Sequence, residues 1–335
     1  MTTLTTAKKE MTTVSTFDSD IVDRYLQSLS PAGRQGATVS LARLAKLNDC
    51  TVETMPWSSI RVTHVVALVA KLKDMKVEKK RGKGKVGQSI SQSTINHAVS
   101  CLRGVLKAVW NADRITDAEY HKAVAIKGVK GSRLPAGRDV ARHEVRALLD
   151  TCDDDTRPAG RRDSALLALM IVGGFRRDEV THITMTDIDL VTGRVVVTTG
   201  KGSKQRVVYV VNALPRLTAW VAVRGDHDGP LFCPVTKSGV IVTDVDPVTG
   251  KVVGRPVTAQ AIYNALTTRA NDAGIESFSP HDLRRTYAGN ALTAGVDIAT
   301  VARQMGHASV TTTARYDRRN ETTLETASRL VTLPA

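Results

Sequence analysis

The stretch SPHDLRRTYAG, residues 279–289, predicts the start of a helix that carries two functional side chains. Its Ser-Pro pair suits the N-cap and the first helical position, and its aspartate suits the first turn. His281 and Arg284 are three positions apart, so they share one face of that helix. This pair is the first part of a candidate site.

Two segments upstream add further charged side chains. GGFRRDEV, residues 173–180, places Arg176 after a Gly-Gly break, at the start of a short helix and close to Glu179. GKGSKQR, residues 200–206, holds Lys201 between two glycines. The runs GRVVVTT and QRVVYVV on either side are rich in β-branched residues, which predicts that this lysine lies in a hairpin turn.

The segment QMGHASVTTTARYD, residues 304–317, completes the set. A glycine ends a helix there and His307 follows the break. Ser309 or Thr311 then starts the next helix, which is expected to bear Tyr316.

Together these side chains suit chemistry on a phosphodiester. Arginine and histidine bind a phosphate and offset the charge that grows in a pentacoordinate transition state. A tyrosine hydroxyl can attack phosphorus if nearby cations or a base assist it, because its ordinary pKa is about 10. A lysine can protonate the leaving alkoxide. No metal or cofactor is required, and the set lacks the paired carboxylates of a two-metal nuclease.

The charge of the chain points to DNA. The net charge of the 335 residues is +14, and residues 1–140 hold 23 Lys and Arg against 12 Asp and Glu. Neutralising phosphates releases counterions, so such a region favours nucleic acid, with a solvated basic loop as the alternative. An aromatic content of 4% argues against single-strand stacking and favours duplex DNA. The densest basic run, residues 71–86, supplies the candidate contacts Lys79, Lys80, Arg81, Lys83 and Lys85.

Composition excludes several other classes. No apolar run is long enough for a membrane span, and the first residues lack the apolar core of a secretory signal. Four cysteines without a C-x-x-C pair disfavour a zinc ribbon, a redox motif and a disulfide framework. A reducing, cytoplasmic setting is therefore expected.

The pattern along the chain predicts two domains. Residues 18–127 read as helices, one of them capped by Ser93, with RGKGKVGQ (81–88) as a loop between them. The full division is a disordered tail at 1–17, a helical DNA-binding domain at 18–127, a linker at 128–140, a catalytic domain at 141–317 and a C-terminal helix or tail at 318–335.

In this order and spacing, the segments resemble the signature of the tyrosine recombinases, the phage-integrase superfamily. GGFRRDEV resembles the family's arginine box and GKGSK its lysine-bearing turn, while HDLR, MGH and SVTTTARY resemble the boxes that end in its tyrosine. MGH replaces the usual LGH and Gly-Phe the usual Gly-Leu, but every catalytic group is present. The resemblance implies a mainly α protein with a small β-sheet: a helical, SAM-like core-binding domain followed by an α+β catalytic domain.

The resemblance also implies roles for individual residues. Tyr316 is the expected nucleophile, and Lys201 is the expected general acid for the 5′-hydroxyl. His281 is expected to act in proton transfer near the tyrosine. The remaining site residues are expected to bind or support the scissile phosphate: Arg176, Arg284 and His307, with Glu179 behind the arginine box.

The implied function is site-specific recombination. Duplex DNA is cleaved and rejoined through a 3′-phosphotyrosyl intermediate and a Holliday junction, for integration, excision or resolution of a mobile element or replicon. Relaxation of DNA by a type IB topoisomerase mechanism is one alternative. A catalytically silent, sequence-specific DNA-binding protein is the other.

Expected partners follow from the same resemblance. They are double-stranded DNA with short inverted-repeat core sites, a homotetramer on that DNA and an accessory DNA-bending factor. Residues 1–17 are too short for an arm-binding domain, so a two-domain, Xer/Cre-like member is expected. Residues 318–335 are expected to dock on a neighbouring protomer or to pack on their own domain. The expected setting is bacterial or phage-encoded, cytoplasmic and nucleoid-associated.

Overall fold

The computed structural model describes residues 18–81, 84–129, 137–198 and 205–317. The chain divides into two compact units, with the boundary between residues 134 and 135. The expected tail 1–17 and C-terminal segment 318–335 lie outside the described residues, as does most of the expected linker. No helix in the described part of the chain is both long and apolar enough to cross a bilayer.

The first unit is a helical bundle with one hairpin. Its helices pack their apolar faces into a single core in which Leu41, Leu72 and Leu106 are fully buried. The elements are α1 (Asp18–Gln27), α2 (Pro31–Lys46), a 3-10 turn (Trp57–Ser59), α3 (Val62–Asp74), β1 (Lys76–Arg81), β2 (Gly84–Ser89), α4 (Gln92–Asn111) and α5 (Asp117–Val124).

The prediction that RGKGKVGQ forms a loop is wrong. Most of this segment lies in the strands of a β-hairpin. β1 and β2 pair antiparallel, from Lys76 opposite Ser89 to Arg81 opposite Gly84. Backbone hydrogen bonds hold such a ribbon whatever the side chains, and no apolar alternation marks it in the sequence. Pattern reasoning therefore could not find it.

The start of α4 also differs from the prediction. Ser91, not Ser93, is the N-cap, and its hydroxyl accepts a hydrogen bond from the Thr94 N–H at 3.1 Å. Ser93 lies inside the helix and is exposed. Both serines precede the apolar run, and only the backbone conformation at Ser91 distinguishes them.

The second unit is mainly helical with short antiparallel strand pairs. Its elements are α6 (Arg142–Asp154), α7 (Pro158–Gly173), α8 (Arg177–His182), a 3-10 turn (Met185–Asp187), β3 (Arg194–Thr198), β4 (Gln205–Tyr209), a 3-10 turn (Val211–Ala213), α9 (Leu214–Arg224), β5 (Thr243–Val245), β6 (Val252–Gly254), α10 (Ala259–Asp272), α11 (Pro280–Thr293), α12 (Ile298–Met305) and α13 (Val310–Ala314).

Helix α7 forms the centre of this unit. It is buried along most of its length and packs against α6, α9 and α11. It ends at Gly174, whose φ of +60° is the left-handed conformation that favours glycine. A Cβ at this position would collide with the ring of Tyr287 on α11. This close approach brings the start of α8 next to α11.

Tyr316 belongs to a separate small core. Ala288 and Leu292 of α11 and Val301 and Met305 of α12 pack with the tyrosine ring, which is 8% exposed. The prediction that a helix bears this tyrosine is wrong, since α13 ends at Ala314. A turn follows, in which the Tyr316 N–H donates to the Thr313 carbonyl at 2.9 Å. Apolar packing therefore positions the ring, and the hydroxyl projects from that core.

Candidate active site

Arg176 stands at the N-cap of α8 and is tied to Glu179. Its backbone N–H donates to Glu179 Oε2 and its Nη1 donates to Glu179 Oε1, both at 2.8 Å. The arginine side chain is 43% exposed, whereas that of the glutamate is 7% exposed. Glu179 therefore orients a guanidinium that stays open to a ligand.

A second arginine, Arg206 of β4, shares this carboxylate. Its Nη1 and Nη2 donate to the two oxygens of Glu179 at 3.0 and 2.7 Å, a bidentate pair. Burial alone would raise the pKa of Glu179, but the hydrogen bonds from Arg206 and Arg176 and the charge of Arg206 hold that pKa below its ordinary value. The glutamate is therefore ionised at neutral pH.

Arg284 of α11 is buried beneath the site, with 1% of its surface exposed. Its Nη1 donates to the Gly174 carbonyl and its Nη2 to the Met305 carbonyl, both at 2.5 Å. Burial, followed by the charge of Arg176, lowers the pKa of Arg284 to about 10, so the guanidinium remains protonated at neutral pH.

His307 is held between two partners. Arg284 Nη2 lies 2.8 Å from its Nε2, and the Thr313 hydroxyl lies 2.8 Å from its Nδ1. Because a guanidinium can only donate, Nε2 accepts and the proton of the neutral ring is on Nδ1. Burial and then the charge of Arg284 lower the pKa of His307 to about 4. The ring is therefore neutral at physiological pH.

The tyrosine hydroxyl meets the other histidine. Tyr316 Oη lies 3.1 Å from His281 Nε2, although the two residues are 35 positions apart. Desolvation and the charges of Arg284 and Arg285 lower the pKa of His281 below its ordinary value. The guanidinium of Arg285 also lies 5.6 Å from the centre of the tyrosine ring. At neutral pH the imidazole is thus an unprotonated base at the hydroxyl.

A cleft of about 380 Å³ lies at this cluster. Arg176, His281 and Arg284 line it, with Phe175 and Tyr263 among the other walls. Two guanidiniums facing one cleft make it suitable for an anion. Among the described residues, no group of three or more His, Cys, Asp or Glu side chains is placed to hold a metal ion.

The structure brings together all but one of the expected site residues: Arg176, His281, Arg284, His307 and Tyr316, with Glu179 as their support. Lys201 lies outside the described residues, between β3 and β4. Among the expected DNA contacts, Lys83 also lies outside them. Lys79, Lys80 and Arg81 belong to β1 and Lys85 to β2.

Sequence reasoning missed two residues of the cluster, Arg206 and Thr313. Arg206 closes the quoted segment GKGSKQR, but nothing in that pattern shows that its side chain reaches Glu179. Thr313 lies in the quoted threonine run and is fully buried against His307. The threonine run before Tyr316 was the only sequence signal that could have indicated Thr313.

The sequence profile of the Phage integrase family matches residues 138–323. The chain belongs to the phage integrase family. Tyrosine recombinase XerD of Mycobacterium leprae (strain TN) is 34% identical over 233 residues, which cover 68% of this chain and 70% of that protein.

Two solved structures show the same fold as this integrase family member. The Tn1549 transposon integrase in complex with a circular intermediate DNA matches with a TM-score of 0.63 and 13% identity, over 95% of this chain and 100% of the other. XerH site-specific recombinase bound to palindromic difH substrate, a post-cleavage complex, matches with a TM-score of 0.59 and 17% identity, over 96% and 92%.

These comparisons confirm the predicted family, the mainly helical fold with small sheets and the enzyme class. The family member is a tyrosine-type site-specific recombinase.

Proposed function

We propose that this recombinase cleaves a phosphodiester of duplex DNA with Tyr316 as the nucleophile. The contact between Tyr316 Oη and His281 Nε2, at 3.1 Å beside a cleft lined by arginines, carries the proposal. Oη forms a bond to phosphorus, the bond from phosphorus to the 5′-oxygen breaks, and a 3′-phosphotyrosyl link results.

His281 receives the phenolic proton in this step. A tyrosine hydroxyl is a weak nucleophile near neutral pH, since its ordinary pKa is about 10. The lowered pKa of His281 keeps the imidazole unprotonated and able to accept a hydrogen bond at Nε2. Transfer to that nitrogen leaves a phenolate oxygen to attack phosphorus.

Arg176 and Arg284 hold the phosphate and offset the charge that develops on its non-bridging oxygens. Both guanidiniums are fixed before DNA arrives, one by Glu179 and the other by backbone carbonyls and His307. Pre-oriented donors need no reorganisation during the reaction, which is where such sites gain most of their rate.

Lys201 donates the proton to the leaving 5′-oxygen. The support is its place in the sequence between β3 and β4, an antiparallel pair whose second strand carries Arg206 into the cluster. A free 5′-hydroxyl from another strand then attacks the phosphotyrosine and restores a phosphodiester. The covalent link conserves the energy of the broken bond, so no ATP is consumed.

Two such exchanges on paired sites pass through a Holliday junction in a homotetramer. The relative bound to palindromic DNA supports short inverted-repeat core sites as the substrate. An accessory DNA-bending factor and docking of residues 318–335 on a neighbouring protomer belong to the same proposal. Action on chromosomal or element DNA would place the protein at the nucleoid.

Recovery of protein-linked DNA, with sequencing of the attached ends, tests the proposal. We expect ends clustered at one repeat pair in cells expressing the protein and none with Tyr316→Phe, which keeps the ring and its packing. Ends scattered over the genome but still dependent on Tyr316 would indicate a topoisomerase. Links that persist in Tyr316→Phe would reject the nucleophile.

The basic hairpin of the first unit is proposed to contact the DNA backbone through Lys79, Lys80 and Arg81 on β1, with Lys83 and Lys85 as further contacts. Each phosphate contact contributes about 0.9 to the slope of log affinity against log salt concentration. Neutralising the three β1 residues should therefore reduce the slope by up to about 3. The charge-conserving exchange of lysine and arginine at these positions is the control. An unchanged slope in the neutralised variant would contradict the contact.

A further inference from the structure

Three arginines converge on the C-terminal turn of α12. Arg206 Nε donates to the carbonyl of Gln304 at 2.7 Å, Arg284 to that of Met305, and Arg176 to that of Gly306 at 3.2 Å. The last carbonyls of a helix have no partner within it, and the negative end of the helix dipole attracts cations. Three successive backbone carbonyls at the end of α12 thus each position one guanidinium.

Arg206 and Arg176 both bind the Glu179 carboxylate, but their surroundings differ. Its side chain is 10% exposed, against 43% for Arg176, and all three of its nitrogens donate to Glu179 or to the Gln304 carbonyl. Arg206 is also not among the residues that line the cleft, whereas Arg176 and Arg284 are. Its position suits a residue that holds other parts of the site.

Arg206 lies close in sequence to Lys201, at the start of β4. In the β3–β4 register, Thr198 pairs with Gln205 and Val197 pairs with Arg206. The chain therefore leaves β3 and re-enters β4 within one residue pair of Arg206. The guanidinium ties these paired strand ends to the helix end that also binds Arg176 and Arg284.

We propose that Arg206 is a positioning residue that fixes the strand ends on either side of Lys201 against the C-terminal end of α12. This inference rests on the proposed function, in which Lys201 protonates the leaving 5′-oxygen. Loss of the anchor should then impair leaving-group protonation more than attack by Tyr316.

A sulfur-substituted substrate separates these two effects. In a 5′-bridging phosphorothiolate, attack by Tyr316 Oη forms the bond to phosphorus, the phosphorus–sulfur bond breaks, and a thiolate leaves without needing a proton. General acid catalysis is worth about 10²- to 10⁴-fold. We expect Arg206→Lys, which cannot form the bidentate pair, to slow cleavage of the ordinary substrate by about 10²-fold and to cleave the sulfur substrate close to the wild-type rate.

The measured quantity is the ratio of the two cleavage rates on one protein sample. The fraction of folded enzyme cancels in this ratio, so partial unfolding does not obscure the result. Arg206→Gln provides a second variant for the same measurement. Arg255→Lys, which alters an exposed arginine bonded to Asp244, is the matched control and should leave the ratio unchanged. An equal loss on both substrates would overturn the inference.

The Lys201→Ala variant and the wild-type protein, assayed on both substrates, distinguish failure of this inference from failure of the proposed function. Lys201→Ala should show the same relief by sulfur as Arg206→Lys. A Lys201→Ala defect that sulfur does not relieve would reject the general acid and the inference with it. Wild-type protein that forms no link to either substrate would reject the proposed function itself.

Discussion

Replacing Glu179 by glutamine should destabilise the second unit strongly, although only one oxygen becomes an amide nitrogen. The Glu179 side chain is 7% exposed, and its carboxylate accepts four hydrogen bonds at 2.7–3.0 Å from Arg176 and Arg206. Glutamine keeps one accepting oxygen and turns an amide NH₂ toward donors. The positive charges of the two arginines also lose their common counterion.

The structure sets the size of this loss. About two charge-assisted hydrogen bonds disappear, each worth about 1.5–3 kcal/mol. The expected loss of unfolding free energy is therefore about 3–5 kcal/mol, the range found when one partner of a buried pair is removed. In a unit of this size, each kcal/mol lowers Tm by about 2–4 °C, so the expected fall is about 10 °C.

The loss should depend on pH in a definite direction. The folded pKa of Glu179 lies below its ordinary value of 4.5. The stability contributed by the carboxylate is therefore complete above about pH 4.5 and is lost as the pH falls toward the folded pKa. The difference between the wild type and Glu179→Gln should be greatest near pH 7 and should narrow below about pH 4.5.

Thermal unfolding followed by circular dichroism at a series of pH values measures both effects. Glu276→Gln is the control, because Glu276 is 78% exposed and its carboxylate lies 3.7 Å from Arg138 Nε. An exposed pair of this kind contributes little, so no comparable loss is expected. A fall in Tm for Glu179→Gln that is no larger than for the control, or one independent of pH, would refute the reasoning.

Three further predictions concern Gly306, His307 and the helix cap at Ser91. Gly306→Ala should cost more stability than Gly274→Ala and should also slow DNA cleavage. Both glycines have φ near +65°, worth about 1–2 kcal/mol of strain, but only at Gly306 would a Cβ approach another group, Arg206 Nη1 at 3.0 Å. Equal losses of unfolding free energy would contradict this. The ring of His307 should stay neutral down to about pH 4, so its contribution to stability is complete above pH 6.5 and is lost as the pH falls; an NMR midpoint near 6.5 would be inconsistent with its contacts. Ser91→Ala should cost about 1 kcal/mol of unfolding free energy in urea unfolding and Ser93→Ala almost nothing; equal costs would contradict Ser91 as the cap.

Local chemistry made much of the site predictable. The N-cap at Ser279, the shared face of His281 and Arg284, and the glycine that ends α12 are all confirmed. Helix caps, glycine breaks and i, i+3 spacing depend on neighbouring residues alone, so they can be read without tertiary structure. Their order along the chain was specific enough to predict the family, the fold class and the enzyme class. The roles of the catalytic residues, that of Lys201 included, remain predictions.

Tertiary packing decided how these parts meet. The hydrogen bond from Tyr316 to His281 joins segments 35 positions apart, and three arginines from other elements donate to backbone carbonyls at the C-terminal end of α12, a group that every residue type supplies. Neither a side-chain pattern nor a spacing specifies which carbonyl a guanidinium will reach. The hairpin of β1 and β2 was missed for the related reason that its pairing is a backbone interaction without apolar alternation. The sequence thus determined which side chains are available for chemistry, and the packing of α11, α12 and β4 determined that His281, Arg284 and Tyr316 meet beside one cleft.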